Sequence, residues 1–239
     1  VVCSVNIMPK IEISDLSVDY KTSHGNIHAL ENIEFQLEDG ESIGIAGESA
    51  CGKSTLGLSI IRMIQGGNIV SGKITFMDES ILDMPESKFD ESIRWKQISM
   101  IFQGAMNSLD PVFTIQQQFD EVLKQHGFDS NADKIIRDAI NSVNLDYSVL
   151  EKYPHELSGG MKQRIVIAMA LLLKPKFVIA DEPTTAVDVL VQAKIINLLK
   201  NLKKKGMSLM LISHDLAILS EVAEKIGIIY GGKMVEFGT

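Results

Sequence analysis

The chain has 239 residues, 45% apolar and 23% charged, with a net charge of −8. That leaves room for one or two domains with a sizeable core. The acidic balance argues against a nucleic-acid footprint but allows a small polyanion held in a local basic pocket. The two cysteines, Cys3 and Cys51, make no disulfide framework, so a reducing compartment is the simpler reading. The longest apolar run, Ile165–Leu173, falls well short of the roughly 20 residues that span a bilayer. No signal peptide is visible, and the first residue is Val rather than Met, as a processed or trimmed N-terminus would give.

Lys10–Tyr20 alternates apolar and polar residues and reads as a strand, His24–Asn26 as a turn, and His28–Leu37 as a second strand. Gly72–Met77 adds a third. These three are expected to form an antiparallel sheet. Between them, Glu41–Ala46 reads as a strand running into Gly47–Thr55, GESACGKST. That is G-x-x-x-x-G-K-[ST], a phosphate-binding loop. Gly47 and Gly52 let the backbone curl, so that the N–H groups through Glu48, Ser49, Ala50 and Cys51 face phosphate oxygens. Lys53 places a cation on the β- and γ-phosphates, Ser54 offers a hydroxyl to Mg²⁺, and Thr55 is placed for the α-phosphate. A helix beginning here, with Leu56, Ile60 and Ile64 at helical spacing, adds its dipole. A thiol at such a position, Cys51, is expected to be reactive.

Ile98–Phe102 is a short apolar strand ending at Gln103. From 104 to 153 the pattern turns helical, over Thr114–His126 and Ala132–Val143, and reads as an insertion between two β-containing parts, 1–103 and 154–239. Leu157–Gly160 then opens a helix through Leu173. Phe177–Ala180, Ser208–Ser213 and Ile226–Tyr230 read as strands, with helices over Val189–Leu202 and Leu216–Ala223 between them, and Gly231–Gly232 turns into a last strand. The basic run Lys203–Lys205 is a solvated helix end. Alternating strands and helices argue for an α/β fold with a parallel sheet and right-handed crossovers.

Two further motifs carry chemistry. Phe177–Glu182, FVIADE, ends an apolar strand in two acids. Asp181 at the carboxyl end of a strand is placed to hold Mg²⁺, directly or through water, and Glu182 to take a proton from an attacking water. In LSGGMKQR, Leu157–Arg164, Ser158 caps a helix and Gly159 and Gly160 leave N–H groups open to an anion; capping and anion binding use the same groups.

Together, GESACGKST, LSGGMKQR and FVIADE resemble the ATP-binding subunit of ABC transporters, over essentially the whole chain. The resemblance implies a P-loop NTPase (RecA-like) core, an N-terminal antiparallel β subdomain and an inserted helical subdomain. It implies ATP and Mg²⁺ as cofactors. It also implies two subunits sandwiching two ATP molecules head to tail, with Ser158, Gly159 and Gly160 acting on the ATP of the other subunit. Gln103 matches the glutamine that contacts Mg²⁺ or water, His214 in LISHD the histidine that contacts the γ-phosphate, and Tyr20 the aromatic that stacks on adenine. Thr185–Asp188 matches the segment that crosses the dimer interface near Asp188, with Val187 where leucine is usual. Gln103–Ile115, Tyr153–Leu157 and the ending YGGKMVEFGT resemble the peptide/nickel importer subgroup. Two departures stand out: Gly104-Ala105 replaces the usual Asp-Pro after Gln103, and members commonly extend past a point like Thr239. The implied partners are a second ATPase subunit, identical or not, two membrane-spanning permease subunits and, indirectly, an extracytoplasmic solute-binding protein, with no nucleic acid. The implied place is the cytoplasmic face of the membrane. The rival readings are a soluble ABC ATPase of DNA repair or translation, whose coiled-coil arms or second cassette are missing here, and a low-turnover regulatory subunit, against which Glu182 and His214 speak.

Overall fold

The computed structural model describes residues 11–23, 25–128, 131–185 and 187–239; Cys3, Lys10 and His24 lie outside them. Strands β1 (Ile11–Thr22) and β2 (Gly25–Leu37) form a long hairpin, and β4 (Gly67–Phe76) and β5 (Glu79–Ser80) extend it into an antiparallel sheet in the order β2-β1-β4-β5. The expected antiparallel sheet is therefore present, with β4 starting five residues earlier than the apolar pattern shows. Ile69 packs on the core only in part and Val70 is exposed, so the early half of β4 carries little burial signal.

The second sheet has six strands in the order β10-β9-β3-β8-β7-β6. They are β3 (Ser42–Ala46), β6 (Ile98–Ile101), β7 (Phe177–Asp181), β8 (Ser208–Ile212), β9 (Lys225–Tyr230) and β10 (Lys233–Gly238). All pair in parallel except β10, which runs antiparallel to β9. Central strands of such a sheet are covered on both faces and read as continuous apolar runs. Their side chains still alternate between two cores. Phe177, Ile179, Met210 and Ile212 point to one side, with Leu56, Ile60 and the antiparallel sheet. Val178, Ala180, Leu209 and Leu211 point to the other, with the later helices.

The helices follow the sequence pattern, with small shifts at their ends. Helix α1 (Lys53–Ile60) stops at Ile60, because Arg62 takes a left-handed φ of 56°. Ile64 lies past that break, so the helical spacing read through it overshoots. Helix α2 (Glu86–Ser92) is absent from the sequence reading, and its reason is local. Its single buried residue is Phe89, whose ring is contacted by the Arg62 and Arg94 guanidinium groups, while Glu86 bonds both arginines at 2.8 Å. One anchor has no periodicity to detect. In the 104–153 segment, α3 (Ile115–Gln125) opens on a capping box formed by Thr114 and Gln117, and α4 (Ala132–Ser142) buries Ile136, Ala139 and Ile140. Helix α5 (Gly159–Ala170) follows, then α6 (Val189–Lys204) and α7 (Leu216–Val222). The inserted helices share one apolar core with α5, α6 and one face of the parallel sheet.

Candidate active site

Because β3, β8, β7 and β6 are parallel neighbours, the loops leaving their carboxyl ends emerge along one edge of the sheet. Open α/β sheets bind ligands along that edge. Four motif segments arrive there from distant parts of the chain: the phosphate loop after β3, Gln103 after β6, Asp181 and Glu182 at the end of β7, and His214 just past β8.

The loop glycines have two duties. Gly47 (φ 154°) and Gly52 (φ 110°) both hold backbone conformations that side chains rarely adopt. A Cβ on Gly52 would also sit 2.5 Å from the Ala29 carbonyl, and one on Gly47 would collide with the Ile229 carbonyl. The loop is thus wedged between the β2 hairpin and the end of β9. The Gly232 N–H donates to the Cys51 carbonyl at 3.1 Å, and the Glu31 N–H to the Gly232 carbonyl at 2.8 Å. Lys53 is buried and turned onto its own loop, donating to the Gly47 and Glu48 carbonyls at 2.8 and 2.6 Å. Glu48, Ser49 and Ala50 are exposed at the loop's crest. Cys51 departs from expectation. Its side chain is only 6% exposed, packed in the core beneath the loop with Sγ 3.7 Å from the Lys53 ammonium. A thiol so enclosed is not the accessible nucleophile that the sequence predicts.

Asp181 is 3% exposed, and its Oδ1 is buried without a hydrogen-bond partner. Burial pushes its carboxyl above the usual carboxylate range; the Ser54 hydroxyl opposes the shift, the neighbouring charge of Glu182 adds to it, and the Lys53 ammonium opposes it. A buried carboxylate oxygen left unpaired is costly. A hard divalent cation coordinated by oxygen would satisfy it, and the Ser54 hydroxyl beside it would offer a second oxygen. These residues fit Mg²⁺.

Glu182 occupies a left-handed backbone conformation, φ 49°, uncommon for a side chain of its length. Its N–H donates to the Ile212 carbonyl at 2.9 Å. Its carboxylate accepts from the Thr185 hydroxyl at 3.0 Å and from the His214 backbone N–H at 3.1 Å, and Oε1 lies 2.8 Å from His214 Nδ1. The acid is thus largely enclosed and aimed, while the imidazole beyond it is 69% exposed. Sequence motifs place Glu182 and His214 near one nucleotide but do not join them to each other. The structure does.

The remaining residues spread out. The Tyr20 hydroxyl is 3.5 Å from Thr55 Oγ1, and a Cβ on Gly67 would lie 2.9 Å from its ring, so the aromatic stands beside the start of α1 with a bare backbone next to it. Gln103 is exposed in the turn after β6. Ser158 caps α5, accepting from the Met161 N–H at 3.3 Å, and Gly159 faces Met106. Gly160 is buried against α6, where a Cβ would meet Val191 at 2.5 Å. Asp188 caps α6, accepting from the Val191 N–H at 2.9 Å. None of these contacts of residues 158–160 reaches the chain's own phosphate loop. Two contributors escaped sequence reading: the Thr185 hydroxyl on Glu182, and Gln163, a buried amide inside the LSGGMKQR motif that donates to the Pro183 carbonyl at 2.7 Å. Flanked by Lys162 and Arg164, Gln163 reads in sequence as one more polar residue of a solvated helix start, and nothing there signals its burial.

A family model described as ABC transporter matches residues 30–185, about two thirds of the chain. The chain belongs to the ABC transporter family. It is an ATP-binding cassette and an ATPase. The oligopeptide transport ATP-binding protein OppD of Bacillus subtilis is 37% identical over 98% of this chain and 67% of that protein. OppD of Salmonella typhimurium is 39% identical over 95% of this chain and 69% of that protein. A solved dimeric structure of the ATP-binding cassette MJ0796, in a post-hydrolysis state bound to ADP and Pi, superposes on this cassette with a TM-score of 0.85 at 26% identity, covering 96% and 98% of the two chains. The cassette fold expected from the motifs, with its parallel core and antiparallel β sheet, is therefore the one observed.

Proposed function

We propose that this cassette binds Mg-ATP along the sheet edge and hydrolyses it to drive import of peptides through a membrane permease. The observation that carries the reading is the convergence of Lys53, Asp181, Glu182 and His214 on one edge, with Glu182 held by three separate donors. Lys53 and the N–H groups of 47–52 would neutralise the phosphates, and Ser54 and Asp181 would hold Mg²⁺, with Gln103 completing the shell. The metal would polarise the γ-phosphoryl oxygens as charge builds on them. Glu182 is the general base for the attacking water. His214, bonded to that carboxylate, positions it and reaches outward to the γ-phosphate. Tyr20 supplies a face for adenine.

Ser158, Gly159 and Asp188 are exposed and bonded only locally. In our reading they serve the nucleotide of a second, facing cassette, identical or not. Val189 and Leu190, 79% and 76% exposed beside Asp188, give that contact an apolar centre. A concavity of about 940 Å³ lies elsewhere, between the core and the inserted helices. Trp95, Met100, Phe102, Glu121 and His126 are among its walls, and none of its lining residues belongs to the phosphate loop. Phe102 directly precedes Gln103, so this groove is where a permease segment would sense the nucleotide. No helix among the described residues is long and apolar enough to cross a membrane, and the cassette would sit on the cytoplasmic face through its permease subunits. Peptide cargo, with an external peptide-binding protein acting upstream, is supported by the oligopeptide transport names of the relatives.

Two measurements test this. Lys53→Ala removes the cation fixed against the phosphates and is expected to lose turnover and most ATP affinity with the fold intact; unchanged turnover would refute the site. Affinity purification from a detergent extract of the source membranes is expected to bring down two membrane-spanning subunits, and recovery of ribosomes or DNA instead would move the cassette to another branch of the family.

A further inference from the structure

Glu182 opens a tight turn. The Thr185 N–H donates to the Glu182 carbonyl at 3.1 Å, with Pro183 as the second residue, where its fixed φ suits such a turn. The left-handed backbone of Glu182 persists only where its surroundings over-determine it. Constraints come from the turn, from β8 and from the residue just past it: Thr185 N–H, Thr185 Oγ1, the Ile212 carbonyl, and His214 through its backbone N–H and Nδ1. A further one comes from a different element. Gln163, on α5 and 3% exposed, reaches across to donate from Nε2 to the buried Pro183 carbonyl at 2.7 Å. A carbonyl oxygen only accepts, so the orientation of the amide is fixed.

The next residue on the same helix is bonded elsewhere. Arg164 donates to the carbonyls of Asn144 at 3.0 Å and Val143 at 3.5 Å, just past the end of α4. Adjacent side chains of α5 therefore grip two bodies, Gln163 the catalytic turn and Arg164 the inserted helices. The N-cap of the same helix is Ser158, which our reading assigns to the facing nucleotide.

We infer that Gln163 is a positioning residue for hydrolysis, transmitting the placement of α5 to the backbone of Glu182. The inference rests on Glu182 as the general base. A shift of α5, whether imposed by the facing ATP on Ser158 or by the inserted helices through Arg164, pulls on the Pro183 carbonyl and swings the carboxylate one residue before it. The base is aimed when α5 is docked and misaimed when it is not. Gln163 touches neither nucleotide nor water and supplies no proton.

The test uses the full chain at high protein concentration and low salt, with kcat and KM from phosphate release and ATP affinity from calorimetry. Gln163→Met keeps the length without the donor, and Gln163→Asn keeps the amide one methylene short. Both are expected to lose at least about tenfold in kcat, since displacing a reacting group by about an ångström costs up to a hundredfold, while ATP affinity changes less than about twofold. In a Glu182→Gln background neither is expected to lower the residual rate further. If Gln163→Met fails to fold, the smaller Gln163→Asn carries the same comparison. Wild-type kcat in either folded variant overturns the inference and leaves Glu182 as the base. So does a loss that multiplies with Glu182→Gln, or an equal fall in ATP affinity. A Glu182→Gln protein that hydrolyses at the wild-type rate overturns both.

Discussion

The phosphate-loop edge and the LSGG turn of this cassette are built differently. On the phosphate side Lys53, its loop and Glu182 are tied down. Lys53 bonds its own loop, the loop is wedged against Ala29 and Ile229, and Glu182 is fixed by Ile212, Thr185 and His214. On the LSGG side the exposed groups are held lightly: Ser158 accepts only from Met161 of its own turn, and Gly159 stands beside Met106 with no tighter neighbour. The first surface is preorganised for charge development, as electrostatic catalysis requires. The second is an outward-facing helix start whose donors are open to an anion from elsewhere. One chain thus carries a finished half and an open half, and an arrangement that completes both is a pair of chains facing each other.

The sharpest way to break the comparison is at Glu182. Glu182→Gln keeps the shape but cannot accept the water's proton, so turnover is expected to fall 10²–10⁴-fold, about 3–5 kcal/mol at the barrier, with ATP binding retained. Size-exclusion chromatography of this variant with ATP is expected to show an accumulated dimer, and adding Ser158→Arg should remove it. A dimer that survives Ser158→Arg would mean that the open half does not face the nucleotide.

Gly160 gives a smaller effect, on stability rather than chemistry. A Cβ there meets the stiff β-branched Val191 at 2.5 Å, so Gly160→Ala should force α5 and α6 apart. Overpacking of this kind costs about 1–3 kcal/mol. Calorimetry would show it as a fall in melting temperature, and an unchanged value would mean that α6 yields freely. Smallest and opposite in sign is Asp181→Asn. Burial holds the Asp181 carboxyl above its ordinary range, so the folded state prefers the proton. Its ionisation therefore costs stability, fully once pH exceeds the raised value and not at all below the unfolded-state value. The uncharged amide escapes that cost. With chelator present and no nucleotide, Asp181→Asn is expected to melt a few degrees higher at pH 7, a gain of about 1 kcal/mol that disappears in acid. Equal melting at neutral pH would mean that the carboxylate is better compensated than its unpaired Oδ1 suggests.

The tied half was the more legible in sequence, because its groups are motif residues at strand ends. Lys53, Asp181, Glu182 and His214 each follow an apolar strand whose place in a parallel sheet is nearly forced. The ties themselves were not legible. The Glu182–His214 contact joins segments 32 residues apart, and the Gln163–Pro183 bond needs the packing of α5 on the core. Burial was misjudged where a motif has two sides. Cys51 belongs to a phosphate loop, but its side chain turns under that loop. Gly160 belongs to the LSGG turn, but its missing side chain makes room for Val191. Helix α2 went unseen because one phenylalanine held by two arginines replaces an apolar stripe.

Trp95 is the single tryptophan of the chain. Its indole N–H donates to the Met169 carbonyl on α5 at 3.1 Å, and its ring lies 5.8 Å from that of His126 at the end of α3. It also lines the groove assigned to the permease. The indole emission of this chain therefore originates where the core, the inserted helices and the motif helix meet. Its colour follows the wetness of that junction, and its intensity follows the nearness of the imidazole. Nature has left an unlabelled optical gauge at the joint through which nucleotide and membrane subunit would exchange information.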